Sequence, residues 1–204
     1  MPIYRINGLN VLFIHVPKTG GTSVEKFLLG HAEPALHNRG VKLLKPISDG
    51  LLSPSLAMQH FHAELLEGMF PKGFFDYAFM VVRHPMQRLV SEYGHSRGLG
   101  RIDSRLPFNA WAHMMLTVQK IEPSFSNNHF RPQADFQCFG AEVLHFEDGM
   151  PAVLRHVALK LGLPEPETAP HEKRSGSQVK HISPSLVARA ARVYARDYES
   201  FGYE

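Results

Sequence analysis

The segment Val11-Leu12-Phe13-Ile14-His15-Val16-Pro17-Lys18-Thr19-Gly20-Gly21-Thr22-Ser23 decides the fold of this chain. Its first six residues, 11–16, are a mostly apolar and partly β-branched run, which is typical of a strand buried on both faces of a parallel sheet. The Gly20-Gly21 pair then allows a tight turn, and Thr22 or Ser23 can cap a following helix. A strand, a glycine turn and a helix in this order predict the first unit of an α/β protein.

The same alternation of strands and helices continues along the chain. Residues 77–82 and 142–146 are two further buried strand candidates, and a proline follows the first of them within three residues. Apolar residues at helical spacing predict helices over 86–95 and 151–161, and a last helix from Ser183 through Tyr198. The pattern predicts one α/β domain over residues 1–204, with a central parallel sheet flanked by helices.

Composition excludes several other classes of protein. The chain has 204 residues, 44 % of them hydrophobic and 20 % charged, which excludes a disordered or collagenous chain. Its single cysteine, Cys138, excludes an internal disulfide and a cysteine-based zinc finger. The net charge of +3 suits an anionic ligand but not a nucleic-acid coat. No apolar stretch approaches a membrane span or a signal peptide, so we expect no transmembrane segment and a cytoplasmic protein.

The residues after the first strand have the composition of a phosphate-binding loop. Ligands of parallel sheets bind beyond the carboxyl ends of the strands, where residues 17–23 are predicted to lie. Two glycines let backbone N–H groups point at an anion, Lys18 adds a positive charge, and Thr22 and Ser23 add hydroxyl donors. The lysine precedes the glycines, so this is not the Walker pattern GxxxxGK[ST]. The competing interpretation is an ordinary glycine turn with a surface lysine.

The second buried strand delivers another potential anion ligand to the same edge of the sheet. Arg83 directly follows residues 77–82, and its guanidinium can bind a phosphate through two parallel hydrogen bonds. Ser91 lies eight residues further on, in the predicted helix, and can turn its hydroxyl toward the same anion. The competing interpretation for Arg83 is a salt bridge at the start of that helix.

Together the two segments resemble a known enzyme family. FIHVPKTGGTS (residues 13–23) and VVRHPMQRLVSEY (81–93) are similar to the nucleotide-binding motifs of sulfotransferases that use 3′-phosphoadenosine 5′-phosphosulfate (PAPS). The resemblance is to the carbohydrate-type branch, which includes heparan 2-O- and chondroitin 4-O-sulfotransferases. Weaker matches follow at RPQADF (131–136), VLHFED (143–148) and ARDYESFGY (195–203), so that the resemblance spans almost the whole chain.

The resemblance implies a P-loop-like three-layer sandwich and transfer of a sulfuryl group from PAPS to a hydroxyl of an acceptor. We expect that acceptor to be a carbohydrate or another small hydroxylated molecule. It implies that Lys18 contacts the bridging oxygen, that Arg83 and Ser91 bind the 3′-phosphate, and that a late loop at 171–176 folds over the nucleotide. It implies no metal cofactor. The residues expected to bind PAPS, or its product 3′-phosphoadenosine 5′-phosphate (PAP), are Lys18, Thr19, Gly20, Gly21, Thr22, Ser23, Arg83, Ser91, Lys173 and Arg174.

An acceptor hydroxyl also needs a general base with a pKa near neutrality, which favours histidine. The family places its base between the two nucleotide motifs, where this chain has Gln59-His60-Phe61-His62-Ala63-Glu64. His60 and His62 share a face on an extended segment but diverge by roughly 200° on a helix, so the sequence leaves the choice between them open. Glu64 is the competing base.

The sequence leaves two other functions and a zinc site to be compared with this interpretation. A kinase or nucleotide hydrolase could use a similar loop, although the misplaced lysine and the missing Mg²⁺ motif count against it. A non-catalytic nucleotide- or glycan-binding protein would need no base. A zinc site is disfavoured because HExxH is absent and no carboxylate or cysteine stands at ligand spacing beside the many histidines.

Overall fold

The computed structural model describes residues 2–32, 58–103, 105–166 and 179–204. Over these residues the strands are β1 (Ile3–Ile6), β2 (Leu9–Ile14), β3 (Tyr77–Val82) and β4 (Glu142–His145). Short 3-10 turns lie at Met58–His60, Gln133–Phe136 and Phe146–Asp148. The helices are α1 (Gly21–Leu29), α2 (Ala63–Met69), α3 (Pro85–Gly98), α4 (Phe108–Ile121), α5 (Met150–Leu161), α6 (Pro184–Val193) and α7 (Ala195–Phe201).

The strands form one sheet in the order β1-β2-β3-β4, in which β2, β3 and β4 are parallel. Ile14 pairs with Met80 and Val82 pairs with His145, so the carboxyl ends of the parallel strands lie along one edge. β1 runs antiparallel to β2. The architecture is therefore α/β as predicted, with a mixed rather than a wholly parallel sheet.

The strand predicted at residues 11–16 is wrong in its bounds, and it is the second strand of the chain rather than the first. β2 covers Leu9–Ile14, and β1 precedes it as the other half of a hairpin. Asn7 and Gly8 connect the two strands in the left-handed region, with φ of 50° and 81°. An Asn-Gly pair suits such a two-residue turn because both positions need positive φ. This hairpin was not predicted from the sequence.

The sheet has a separate apolar core on each face, which gives three layers. On one face Phe13 and Phe79 pack with Val24 of α1 and Leu154 of α5. On the other face the alternate strand residues pack with α2, the turn at 133–136 and α7, through side chains that include Leu12, Met80, Leu66, Phe136 and Phe201. The observed layers follow from the period-2 alternation of a strand that is buried on both sides.

The helices are short, and none in the described part of the chain is long and apolar enough to cross a membrane. The predicted single helix from Ser183 to Tyr198 is in fact two helices, α6 and α7. They are separated at Tyr194, whose backbone leaves the helical region (φ −105°, ψ 22°). Its buried hydroxyl donates to the carbonyl oxygen of Phe130 at 3.1 Å, which anchors the break.

Candidate active site

A cleft of about 1290 Å³ opens where the chain leaves the carboxyl ends of β2 and β3. Of the described residues that line it, none is Asp or Glu, whereas three are Lys or Arg and five are His. Such a lining favours an anionic ligand. Most of the predicted site residues line this cleft, namely Lys18, Gly20, Gly21, Thr22, Ser23, His60, Arg83 and Ser91. Thr19 and His62 are not among its lining residues.

The loop after β2 is shaped by two residues with left-handed backbone. Gly20 has φ 85°, which glycine adopts freely, and Lys18 has φ 68°, which is uncommon for a residue with a side chain. Thr19 between them is buried, and its hydroxyl donates to the carbonyl oxygen of Val16 at 2.9 Å. The Thr19 hydroxyl therefore supports the loop from inside, while the lysine side chain reaches the cleft.

Helix α1 begins at Gly21 without a side-chain cap. Gly20 is its N-cap residue, so the prediction that Thr22 or Ser23 caps this helix is wrong. Both residues line the cleft instead. An uncapped helix N-terminus leaves backbone N–H groups for a ligand, and the helix dipole favours an anion there.

A buried histidine, which the sequence analysis did not single out, supports this loop. The ring of His15 lies against Gly21 so closely that a Cβ on residue 21 would overlap it. His15 Nδ1 lies 2.7 Å from Oε1 of the buried Glu25, and Gln59 Nε2 donates to the same oxygen at 2.9 Å. Burial lowers the pKa of His15, and it outweighs the opposing effect of Glu25. Only glycine fits at position 21 while this ring stays in place.

Arg83 lies beside the loop and is fixed by a network of contacts. Its Nη1 donates to the carbonyl oxygen of Lys18 at 3.5 Å, and its guanidinium carbon lies 4.2 Å from the centre of the Phe146 ring. The buried side chain of Gln133 accepts from the Arg83 backbone N–H at 2.9 Å and donates to its carbonyl at 2.7 Å. Asp197 accepts from the backbone N–H of Ala134 at 2.9 Å and so secures the turn that carries Gln133.

His84 is held in a similar way by the second and third of the weaker motifs. Glu147 accepts from the His84 backbone N–H at 2.8 Å and from the Tyr203 hydroxyl at 3.1 Å. Segments 131–136, 143–148 and 195–203 therefore converge on the end of β3.

Lys18 lies in a partly desolvated position. Burial lowers its pKa, the charge of Arg83 lowers it further, and the carboxylate of Glu92 opposes both effects. Arg88 of α3 is buried and donates through Nε to the carbonyl oxygen of Pro17 at 3.1 Å. The helix that carries Ser91 is thus tied directly to the loop that carries the lysine.

The structure separates the two candidate bases. His60 is buried in the cleft wall, and its Nδ1 lies 2.9 Å from the carbonyl oxygen of His15. A carbonyl can only accept, so Nδ1 carries the proton and Nε2 has the free lone pair. Burial, with smaller effects of the charges of His15 and His129, holds the His60 pKa well below 6.5. The ring is therefore neutral at pH 7, with a pKa below the near-neutral value expected of the base.

His62 lies outside the cleft, at the N-cap position of α2. Its Nε2 is 3.8 Å from Oε2 of Glu64, whose own side chain is 85 % exposed. Burial and the charge of Arg131 lower the His62 pKa. The extended backbone between the 3-10 turn and α2 thus does not bring His60 and His62 to one site.

Two predictions have no test in the geometry. Lys173 and Arg174 lie outside the described residues. Within the described ranges, no cluster of three or more His, Cys, Asp or Glu side chains could hold a metal ion, and a metal-free reaction remains a prediction.

Comparison with known proteins identifies a family for this chain. A family model described as "Sulfotransferase family" matches residues 5–204, which is almost the whole chain. No curated protein and no solved structure matches the chain.

Proposed function

This chain belongs to the sulfotransferase family, and on that premise we propose that it is a PAPS-dependent O-sulfotransferase. Its acceptor is a hydroxyl group, with a saccharide as the class that the motif resemblance favours. We place the reaction in the cleft between the 17–23 loop and α3, with a cytoplasmic location as predicted from the sequence.

One observation carries this proposal: the two segments predicted to bind anions line one cleft and are joined by the contact between Arg83 and the Lys18 carbonyl. PAPS carries two separate anionic groups, the 5′-phosphosulfate and the 3′-phosphate. The 17–23 loop with the N-terminus of α1 suits the first group, and Arg83 with Ser91 suits the second. A nucleotide without a 3′-phosphate would leave the second group of ligands unused.

When bound, PAPS supplies a sulfuryl group that passes to the acceptor oxygen as its bond to the phosphate oxygen breaks. Lys18 stabilises the negative charge that develops on the departing phosphate, as cationic side chains do in phosphoryl transfer. Backbone N–H groups of the loop, with Thr22 and Ser23, orient that phosphate. Lys173 and Arg174 are proposed as additional ligands of the nucleotide.

A histidine of the cleft removes the acceptor proton. Of the predicted pair, His60 is the residue that the geometry supports, because its Nε2 lone pair is free within the described residues and it lines the cleft with Lys18. His62 lies beside Glu64 instead. We therefore assign the role to His60 and none to His62.

The test is to incubate the purified protein with [35S]PAPS and an extract of the organism that makes it, and to identify labelled products. Desulfated chondroitin and heparosan serve as defined saccharide acceptors. Label in a product, with matching formation of PAP, supports the proposal. Turnover of ATP that depends on Mg²⁺ would favour a kinase or nucleotide hydrolase, and tight PAP binding without any transfer would favour a non-catalytic binding protein.

A further inference from the structure

His129, a second histidine of the cleft, forms a hydrogen bond with a carboxylate, whereas His60 forms none with any carboxylate in the described part of the chain. His129 lines the cleft, and its ring packs edge-on against the His60 ring with the centroids 5.2 Å apart. Its Nδ1 lies 2.7 Å from Oε2 of Glu92, a residue of α3 that is 1 % exposed. The other carboxylate oxygen of Glu92 accepts from the Ser96 hydroxyl at 2.8 Å. His129 thus stands between the cleft and a buried carboxylate.

The chain is held in an unfavourable conformation immediately before His129. Ser126, Asn127 and Asn128 have φ of 51°, 58° and 64°, three successive left-handed residues of which none is glycine. A left-handed backbone is unfavourable for a residue with a Cβ, although less so for asparagine than for most, and it is found where surrounding contacts hold a functional group in place. The folded protein therefore maintains an unfavourable backbone conformation directly before His129.

Contacts on both sides maintain this conformation. Asn128 is 0 % exposed, and its Nδ2 donates to the backbone carbonyl of His60 at 2.8 Å. Arg88 Nη2 donates to the carbonyl oxygen of His129 at 2.9 Å. The buried amide of Asn128 thus positions the two imidazoles relative to each other. Arg88, which ties α3 to the 17–23 loop, also holds the backbone of His129.

The charges around the two rings differ. Burial alone would raise the pKa of Glu92, but hydrogen bonds from His129 and Ser96, with the charge of Lys18, hold it below its ordinary value. Glu92 is therefore ionised at neutral pH and accepts this hydrogen bond, so the proton between the two side chains lies on His129 Nδ1, and Nε2 is the ring nitrogen left for a ligand of the cleft. In the described part of the chain no carboxylate is hydrogen-bonded to His60, whose Nδ1 meets a carbonyl. A proton taken up by His129 is stabilised by direct contact with a carboxylate, as in other histidine–carboxylate pairs.

We propose that His129, oriented by Glu92, is a second proton acceptor of the transfer reaction, working beside His60. The inference rests on the proposed function. The O–H bond of the acceptor breaks, the proton goes to Nε2 of one of the two imidazoles, and the electron pair stays on the oxygen that bonds to sulfur. His129 would touch the acceptor and is a catalytic residue in this sense, whereas Glu92 acts through it as a positioning residue.

The first test needs no acceptor and no activity. Nitrogen-15 NMR of the histidine rings at about pH 8 identifies the neutral tautomers, with the His129 signals assigned from their loss in His129→Ala. We expect His129 to carry its proton on Nδ1, and Glu92→Gln to move a large part of it to Nε2, because the new amide can donate to Nδ1. A His129 ring protonated on Nε2 in the unaltered protein, or a tautomer that Glu92→Gln does not change, would overturn the proposal.

The second test is a set of double variants assayed for [35S]PAPS turnover with the acceptor identified above. We expect His60→Ala and His129→Ala each to lower turnover by about 10-fold, and the pair together by about 10²–10⁴-fold, because each imidazole partly replaces the other. Glu92→Gln should lower turnover in the His60→Ala background and have much less effect in the His129→Ala background. This comparison also separates the action of Glu92 on His129 from its charge effect on Lys18.

His113→Ala on α4 is the matched control, and PAP affinity and thermal unfolding are measured for every variant. If His60→Ala alone gives the whole loss and His129→Ala changes nothing in either background, the second acceptor does not exist. If the unaltered protein transfers sulfate to no acceptor at all, the proposed function fails instead, and the tautomer measurement still decides whether Glu92 and His129 form the pair described.

Discussion

The side-chain amide of Gln133 holds both polar backbone atoms of Arg83: it accepts from the N–H at 2.9 Å and donates to the carbonyl at 2.7 Å. The two residues are 50 positions apart in the sequence. Gln133 is itself 0 % exposed, and Asp197 secures the turn on which it lies. The direction in which Arg83 enters the cleft is thus set by a side chain that does not line the cleft.

Gln133→Ala should weaken PAP binding although position 133 does not line the cleft. The substitution leaves the Arg83 backbone N–H and carbonyl without their partner, and the arginine loses its fixed direction. We expect a loss of roughly 10-fold in affinity by calorimetry, together with a lower melting temperature. Gln137→Ala, a change at an exposed position four residues on, should alter neither quantity. Unchanged PAP affinity in Gln133→Ala would show that the orientation of Arg83 does not depend on its two hydrogen bonds with Gln133.

Arg83→Ala tests the assignment of the 3′-phosphate. A charge-assisted hydrogen bond contributes about 1.5–3 kcal/mol, so PAP affinity should fall by about 10- to 150-fold. The affinity for adenosine 5′-phosphate, which lacks the 3′-phosphate, should fall much less. Arg192→Ala on the exposed face of α6 is the control for a general loss of positive charge. Equal losses for the two nucleotides would mean that Arg83 does not read the 3′-phosphate.

His60→Ala and His62→Ala should behave differently in turnover. The first removes an imidazole of the cleft wall and should lower turnover by about 10-fold or more, while PAP affinity stays nearly intact. The second removes a ring that lies beside Glu64, and turnover should stay within about twofold of the unaltered protein. Initial rates with saturating PAPS decide the point. A large loss in His62→Ala with normal activity in His60→Ala would reverse the assignment.

The buried histidines should make stability depend on pH. The pKa of His60 is held well below 6.5 in the folded protein, by burial first and by neighbouring imidazoles second. As the pH falls below about 6.5, the unfolded chain binds a proton that the folded protein does not, so the free energy of unfolding decreases. His60→Gln removes this group and keeps a donor toward the His15 carbonyl.

The melting temperature should therefore fall less in His60→Gln than in the unaltered protein between about pH 7.5 and about pH 5. Thermal unfolding followed by circular dichroism at the two pH values measures the difference. Parallel losses in the two proteins would show that His60 is readily protonated in the folded state.

Much of the sheet and of the two segments that line the cleft was predictable, because both depend on short-range patterns. Buried strands followed by Lys18 and Arg83 are visible as apolar runs with a polar residue at their ends, and the topology then brings those ends together. The β1 hairpin could also have been found, since Asn7-Gly8 is a strong turn signal. β1 has only four residues, so its pattern is weaker than that of the longer apolar run in β2.

The support of the site was not predictable, because it depends on partners that are distant in sequence. Gln133 lies in the RPQADF motif, but its contact with Arg83 is set by the packing of the 3-10 turn against the end of β3. His129 belongs to an irregular segment with no periodicity, and its pairing with Glu92 exists only in three dimensions. The choice between His60 and His62 likewise depended on where the 3-10 turn ends and α2 begins.

The most direct test of the account is to follow [35S]PAPS cleavage and product labelling in one reaction, with the unaltered protein and Lys18→Ala side by side. The account predicts one PAP formed for each labelled acceptor molecule in the absence of added metal. Lys18→Ala should lower turnover by about 10²-fold or more and also weaken PAP binding, since the proposed role of the lysine is to contact the departing phosphate. Full activity in Lys18→Ala, or no labelled product from the unaltered protein, would contradict it.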